Sequence, residues 1–302
     1  MVSLTTNLAS LTLSNPTILA SGVMDEDAGS MKRILQCGAG AVVTKSVGIK
    51  PRKGYPNPTL IELEHGMLNA MGLPNPGIVA FGEELKTLKK VKAPIIGSIF
   101  GSNATEFKSL AVKMQEYGAN ALELNMSCPH AKGYGLEIGS DATLVTKITT
   151  TVKDAVTIPV FVKLSPNLTD IVAIAQAAER GGADGIVAIN TVKAMKIDLE
   201  LEMPVLANKR GGYSGGAIKP IGIRCVYDIF EKVHIPIIGV GGILTGRDAL
   251  EYLMAGASAV QIGSGIYYRE IDIFKKICQE IEQWMTNHGY KHVHELIGVA
   301  HQ

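Results

Sequence analysis

Residues 121–130 read ALELNMSCPH, a short apolar run that opens into a cluster of polar residues. The first half is typical of a buried strand, and Pro129 ends it because proline lacks the N–H that a sheet ladder needs. Asn125, Cys128 and His130 therefore crowd the point where a strand becomes a loop. A thiol in that position can take or give a proton, since its reference pKa is about 8.5. The alternative is that Cys128 is an inert thiol buried at a strand end.

Similar apolar runs recur along the chain. There are eight, at 18–22, 41–46, 94–100, 121–127, 160–166, 185–191, 235–242 and 259–265. Most are continuous rather than alternating, as expected of strands that are covered on both faces. Amphipathic segments typical of helices lie between them, at 105–117, 142–155, 170–180, 220–233 and 247–255. Eight strand–helix units predict an α/β fold of the (β/α)8 TIM-barrel type, one domain over residues 1–302, with an open doubly wound sheet as the alternative.

The composition excludes several classes of protein. The 302 residues carry a net charge of +1, which suggests neither a nucleic-acid partner nor a membrane surface. Four cysteines show no C-x-x-C spacing, so the sequence predicts no metal site, no disulfide framework and a reduced, cytoplasmic setting. No apolar run approaches the roughly 20 residues of a membrane span.

Chemistry in such a barrel is expected where strands end and loops begin. Two lysines, Lys45 and Lys163, fall inside or just after apolar strand runs, where a charge is costly unless it is paired. Together they favour an anionic ligand, although an ion pair inside the barrel is the alternative for Lys163. Two connections, 47–93 and 192–219, are longer than a barrel needs and are candidates for lids over the site.

The last two predicted strands end in glycines, at 240–243 (VGGI) and 262–265 (IGSG). Backbone N–H groups beside a helix start make an anion site, and barrels often bind a phosphate after strands seven and eight. A G-x-G-x-x-G fingerprint with its acidic residue is not found at these ends, which disfavours a Rossmann nicotinamide site.

Taken together, these stretches resemble class 1 dihydroorotate dehydrogenases over about residues 4–296. The resemblance rests on NAMGLPN at 69–75, NMSCPH at 125–130, VKLSPN at 162–167, INT at 189–191, GGYSGGAIKP at 211–220 and the two glycine-rich ends. The run that ends in AIKP is most similar to the type B catalytic subunit, which works with an iron–sulfur flavoprotein partner.

The resemblance implies oxidation of dihydroorotate to orotate with FMN as the flavin, in pyrimidine biosynthesis. Cys128 would be the base at substrate C5, and hydride from C6 would pass to flavin N5. The residues expected to hold the substrate are Lys45, Asn69, Met71, Gly72, Leu73, Asn125, Asn190 and Thr191. Those expected to hold FMN are Ser21, Lys45, Ser46, Ser98, Asn125, Lys163, Ile189 and Gly215, with Gly241, Gly242, Gly263 and Ser264 at its phosphate.

Two positions depart from the type B pattern. His130 stands where most members carry Asn, and Cys-Pro-His is also found in dihydropyrimidine dehydrogenases, which act on uracil and thymine. Ser98 stands where a flavin-contacting Asn is usual, and its shorter side chain would reach a flavin through water. The alternatives are therefore a dihydropyrimidine dehydrogenase-like enzyme and a non-catalytic barrel that binds a phosphorylated ligand. The resemblance further implies a homodimer, and a heterotetramer with an FAD and iron–sulfur electron-transfer subunit.

Overall fold

The computed structural model describes residues 2–127 and 136–302. In these ranges the strands are β1 Thr6–Leu8, β2 Leu11–Leu13, β3 Thr17–Leu19, β4 Ala41–Val43, β5 Leu60–Leu63, β6 Gly66–Asn69, β7 Ile95–Ile99, β8 Ala121–Asn125, β9 Val160–Leu164, β10 Gly185–Ala188, β11 Val192–Ala194, β12 Ile197–Asp198, β13 Met203–Pro204, β14 Gly211–Ser214, β15 Ile237–Val240 and β16 Ala257–Ile262. The α-helices are α1 Ala28–Gln36, α2 Ile78–Leu88, α3 Ala104–Tyr117, α4 Leu136–Gly139, α5 Ala142–Lys153, α6 Ile171–Arg180, α7 Lys219–Phe230, α8 Gly246–Met254, α9 Gly265–Arg269 and α10 Ile273–His288. Short 3-10 helices cover Gly216–Ile218, Val293–Leu296 and Val299–His301.

Eight of the strands close into a parallel barrel. Their order around it is β3, β4, β7, β8, β9, β10, β15, β16 and back to β3. Each overlaps one of the eight predicted runs, although β3 and β16 begin one and two residues before theirs, so the barrel prediction is confirmed and the open sheet is wrong. Most runs were predicted too long at their carboxyl ends, because residues such as Ser46 and Asn190 leave the sheet and bond to side chains at neighbouring strand ends.

The amino end of the barrel is closed by an apolar plug. Strands β1 and β2 form an antiparallel hairpin that brings Leu8 and Leu13 against Phe161 and Val187 in the barrel interior, all of them with no exposed surface. Fully burying a side chain of this size contributes about 1.5–3 kcal/mol. The amino end of the barrel interior is thereby filled with apolar side chains.

The helices cover the outside of the barrel and begin where the sequence supplies a cap. All five predicted helices are present, as α3, α5, α6, α7 and α8. Side chains that accept a bond from a helical N–H cap five helices, at Asp27, Asn103, Asp141, Asp170 and Thr245. None of the helices in the described ranges is long and apolar enough to cross a membrane.

The two long connections pair with each other. Strands β5 and β6 come from the first and β11 and β14 from the second, and they form a four-stranded antiparallel sheet in the order β11, β14, β6, β5. Asn69 lies opposite Gly212 in this sheet, and Gly215 follows directly after β14. This sheet thus holds residues from two distant loops together. Its strand β11 begins four residues after β10 ends, which ties the sheet closely to the barrel.

Candidate functional site

A line of hydrogen-bonded side chains crosses the carboxyl ends of the first four barrel strands. Ser21, after β3, lies 3.2 Å from the Ser46 hydroxyl, after β4, and that hydroxyl lies 2.7 Å from the Ser98 hydroxyl in β7. Asn125, at the end of β8, donates from Nδ2 to Ser46 Oγ at 3.1 Å. Ser98 is fully buried beneath the others. Four residues predicted from separate motifs therefore form one connected group.

The line continues toward β10. Ser127 donates its N–H and its hydroxyl to Asn125 Oδ1, at 3.3 and 3.0 Å. Asn190 donates from Nδ2 to Ser127 Oγ at 2.8 Å and accepts from the Thr191 N–H at 2.7 Å. Each amide is held in one orientation by its neighbours, so the group offers donors and acceptors at fixed positions to a planar, amide-rich ligand.

One end of the line carries charge. Lys45 is buried, and its ammonium bonds to Glu26 Oε1 at 2.9 Å. Asp25 is fully buried, accepts from the Gly22 N–H at 2.6 Å and from the Ser21 hydroxyl at 3.3 Å, and its Oδ1 has no hydrogen-bond partner within the described residues. Burial raises the pKa of Asp25, and the Lys45 charge and these hydrogen bonds only partly oppose it.

Lys163 lies near the carboxyl end of β9, and its side chain is buried in the barrel interior. Its ammonium contacts Glu123 Oε1 at 3.3 Å and Gln261 Oε1 at 3.1 Å, and Gln261 donates back to Glu123 Oε2 at 2.7 Å. The predicted alternative, an ion pair inside the barrel, is therefore present. Lys163 is also in register with Asn125 on the neighbouring strand, which places it beside the polar line. An ammonium has three donors, and two are used here.

The glycine-rich ends differ from each other. A Cβ built on Gly263 would meet only Ala20 Cβ, at 3.5 Å, so this position faces open space. Gly242 has φ +68°, and a Cβ there would lie 2.7 Å from the Gly215 carbonyl oxygen. Gly242 is thus required by the packing of the second long loop, whereas Gly263 leaves room for a ligand.

The first backbone donors of α8 are occupied by side chains. The N–H groups of Leu244 and Thr245 donate to Asp248 Oδ2, at 3.0 and 2.8 Å, and that of Gly246 donates to Glu280. An anion at the predicted phosphate site would therefore depend on the loops at 241–242 and 263–264 rather than on this helix start.

Hydrogen bonds to its backbone carbonyls hold the loop at 71–73 in place. Asn75 donates to the Leu73 carbonyl at 2.9 Å, and the Tyr55 N–H donates to the Met71 carbonyl at 3.0 Å. Gly72 has φ +77°, and Met71 is exposed. Asn69 donates to the Gly212 carbonyl at 3.3 Å.

Cys128 and His130 lie outside the described residues. Among the described site residues, Ile189 is buried beneath the strand ends, and Gly215, Gly241 and Ser264 follow β14, β15 and β16.

The arrangement suits a flavin phosphate and a flavin ring. A Cβ on Gly22 would meet nothing within 4 Å, and one on Gly216 or Gly263 would make a single ordinary contact, so these glycines leave room for a ligand. A buried ammonium lies beside the polar line. Reduced flavin carries negative charge, which such a cation stabilises. The residues present therefore fit the group that the resemblance implies.

Three polar residues were not predicted. Glu123 and Gln261 each stand alone within an apolar strand run, as Lys163 does, and that shared pattern was the signal that could have paired them. Asp25 gave no such signal, because it sits among the charged residues of a loop.

Comparison with known proteins agrees with the fold and with the family that the sequence resembles. The family model described as dihydroorotate dehydrogenase matches residues 3–285. The chain is 52% identical over 303 residues to the "Dihydroorotate dehydrogenase B (NAD(+)), catalytic subunit" of Methanocaldococcus jannaschii, covering 99% of this chain and 98% of that protein. It is also 52% identical over 300 residues to the protein of the same name from Thermoplasma volcanium, with 99% of each chain covered. A solved structure of DHODH in complex with ferulenol from Eimeria tenella has a TM-score of 0.85 and 24% identity, covers 99% of this chain and 89% of that one, and supports the fold.

Proposed function

The chain belongs to the dihydroorotate dehydrogenase family, and we infer that it oxidises dihydroorotate to orotate in pyrimidine biosynthesis. The observation that carries this is identity of 52% to named relatives over 99% of the chain, with the motif residues gathered on one barrel end. This assignment is favoured over a dihydropyrimidine dehydrogenase-like enzyme and over a non-catalytic barrel, the two alternatives that the sequence left open.

We propose FMN as the flavin. When bound, it would accept the hydride that leaves substrate C6. The loops at 241–242 and 263–264 would hold its phosphate, Ser21, Ser46, Ser98, Ile189 and Gly215 would line it, and Lys163 would stabilise negative charge at its N1–O2 edge. The family is flavin-dependent, and the room left at Gly263 supports a phosphorylated flavin.

The substrate would lie against the amides of the polar line. Asn69, Asn125 and Asn190 offer both donors and acceptors, which match the ring amides of a pyrimidine. Thr191 and the backbone at 71–73 would hold the remaining edge, and Lys45 would contact the substrate from the side of Ser46. Cys128, three residues after Asn125 in the sequence, would be the base that removes the proton from C5, as the resemblance implies.

Electrons would leave through a partner. The relatives are named catalytic subunits of an NAD(+) enzyme, and we propose that this chain forms a homodimer that assembles with an FAD and iron–sulfur subunit. A cytoplasmic location accords with the free thiols of Cys37, Cys225 and Cys278.

The test is anaerobic stopped-flow reduction of the bound flavin. Dihydroorotate should bleach the flavin and dihydrouracil should not; bleaching by dihydrouracil alone would move the assignment to the other enzyme class. Cys128→Ala should retain flavin and bind orotate but reduce about 10²–10⁴-fold more slowly, the usual contribution of a positioned acid–base group. Cys37→Ala, at the end of α1, is the matched control and should reduce at the parent rate. If Cys128→Ala also reduced at the parent rate, Cys128 would not be the base.

A further inference from the structure

A three-residue cluster crosses the barrel interior next to the polar line. It consists of Glu123, Lys163 and Gln261, whose side chains come from β8, β9 and β16. Strands β8 and β16 stand four places apart in either direction around the barrel, so the bond between Gln261 and Glu123 joins opposite walls. The proposed reaction uses Lys163 alone and leaves the other two residues without a role.

The cluster is closed to water. Relative exposure is 0% for Glu123, 6% for Lys163 and 1% for Gln261. A side-chain amide can accept through its oxygen and donate through its nitrogen. Gln261 does both, because its oxygen faces the ammonium and its nitrogen faces the carboxylate. Lys163 is therefore fixed between two partners at nearly equal distances, only one of which carries charge.

Charges that are buried together act strongly on one another and on any ligand next to them, because little water screens them. A cation next to a flavin favours the reduced form, which carries the extra negative charge. An anion bonded to that cation works against it. Glu123 therefore limits how far Lys163 can favour reduction.

We propose that Glu123 and Gln261 are positioning residues which hold Lys163 toward the flavin, and that the single negative charge of Glu123 lowers the midpoint potential of the bound flavin. This rests on the proposed function, in which the flavin lies above Lys163. The proposal also predicts that the charge acts equally well from either side of the ammonium, since Nζ lies 3.3 Å from Glu123 and 3.1 Å from Gln261.

The test compares the midpoint potentials of the flavin-loaded parent, two variants and one control variant at pH 7, measured by anaerobic titration against a reference dye. Glu123→Gln keeps the shape of the side chain and removes its charge. It should favour reduction about tenfold, a rise of about 30 mV for a two-electron couple. The double variant Glu123→Gln with Gln261→Glu moves the acid to the opposite wall, and its potential should return to the parent value.

Asp184→Asn is the matched control, because Asp184 also accepts from a lysine, at 2.6 Å from Lys153 Nζ, but lies at the amino end of β10. Its potential should equal that of the parent. A Glu123→Gln potential that is unchanged or lower would overturn the proposal. So would a double variant that stays at the Glu123→Gln value, because a purely structural defect would not be repaired by a second buried substitution.

If Glu123→Gln fails to retain flavin, Glu123→Asp is measured instead. This variant keeps the charge but draws it away from Lys163. It should therefore raise the potential, and shift the reduction equilibrium by less than tenfold. An unchanged or lower potential would again refute the proposal. A parent protein that binds no flavin would refute the proposed function itself, which separates that failure from a failure of the charge argument.

Discussion

Replacing Gly263 by Val tests the proposed phosphate site without disturbing the protein around it. A Cβ at Gly263 makes one ordinary contact, 3.5 Å to Ala20 Cβ, and points into open space. The flavin-free protein should therefore keep its stability within about 0.5 kcal/mol. Gly242→Val is the informative contrast, because its Cβ would lie 2.7 Å from the Gly215 carbonyl oxygen at a φ of +68°.

The two variants should fail in different ways. A valine at Gly263 would block the phosphate from about two backbone donors, and bonds to a charged group contribute about 1.5–3 kcal/mol each. Their loss corresponds to roughly 10²–10⁴-fold weaker FMN binding, at about 1.4 kcal/mol per factor of ten. The left-handed backbone at Gly242 costs a valine about 1–2 kcal/mol before any steric clash, so that variant should be destabilised even without flavin.

The assay is titration of flavin-free protein with FMN and with riboflavin, which lacks the phosphate, followed by fluorescence quenching. The parent should prefer FMN, and Gly263→Val should bind FMN no better than riboflavin. Thermal unfolding of the flavin-free proteins should leave Gly263→Val at the parent Tm and lower that of Gly242→Val. If Gly263→Val kept the parent's preference for FMN over riboflavin, the phosphate would have to bind elsewhere.

Three further predictions concern charge and electron transfer. Lys163→Leu should lower the free energy of unfolding by about 3–5 kcal/mol, because it leaves the fully buried Glu123 carboxylate without its cation; adding Glu123→Leu should recover more than half of this in urea titrations, and no recovery would contradict the account. The raised pKa of Asp25 means that the folded state binds the proton of this carboxyl more tightly than the unfolded state does. Its ionisation therefore costs stability as the pH rises above 3.8, the ordinary pKa of an aspartate. Asp25→Asn should accordingly raise Tm at pH 8 and lose that advantage near pH 4, and a gain that did not depend on pH would refute the linkage. The flavin-loaded chain alone should reduce artificial dyes but reduce NAD poorly, and efficient NAD reduction by the pure chain would exclude the need for a partner.

Most of the barrel was predictable because its signals are local. Each strand is a continuous apolar run, and each of the five predicted helices has its own amphipathic pattern, so eight units could be counted without knowing any contact. The site residues at strand ends were predictable for a related reason, since parallel strands in a barrel place all their carboxyl ends on one face. Asn125, Ser46 and Asn190 could be assigned to one place in this way, although the hydrogen bonds that connect them, through Ser127 in the case of Asn190, could not.

Contacts between distant segments were decided only by the tertiary structure. The pairing of Asn69 with Gly212 joins two loops that are each irregular in sequence, and short strands of four residues or fewer carry too little periodicity to identify partners. The role of Leu8 and Leu13 as a plug was likewise invisible, because burial in the barrel interior depends on closure of the whole sheet. Glu123 and Gln261 lie 138 positions apart, and their bond exists because eight strands bring opposite walls within hydrogen-bonding distance. The strands and helices that follow local patterns are thus determined by the sequence itself. The charged environment around Lys163 arises only when the barrel closes.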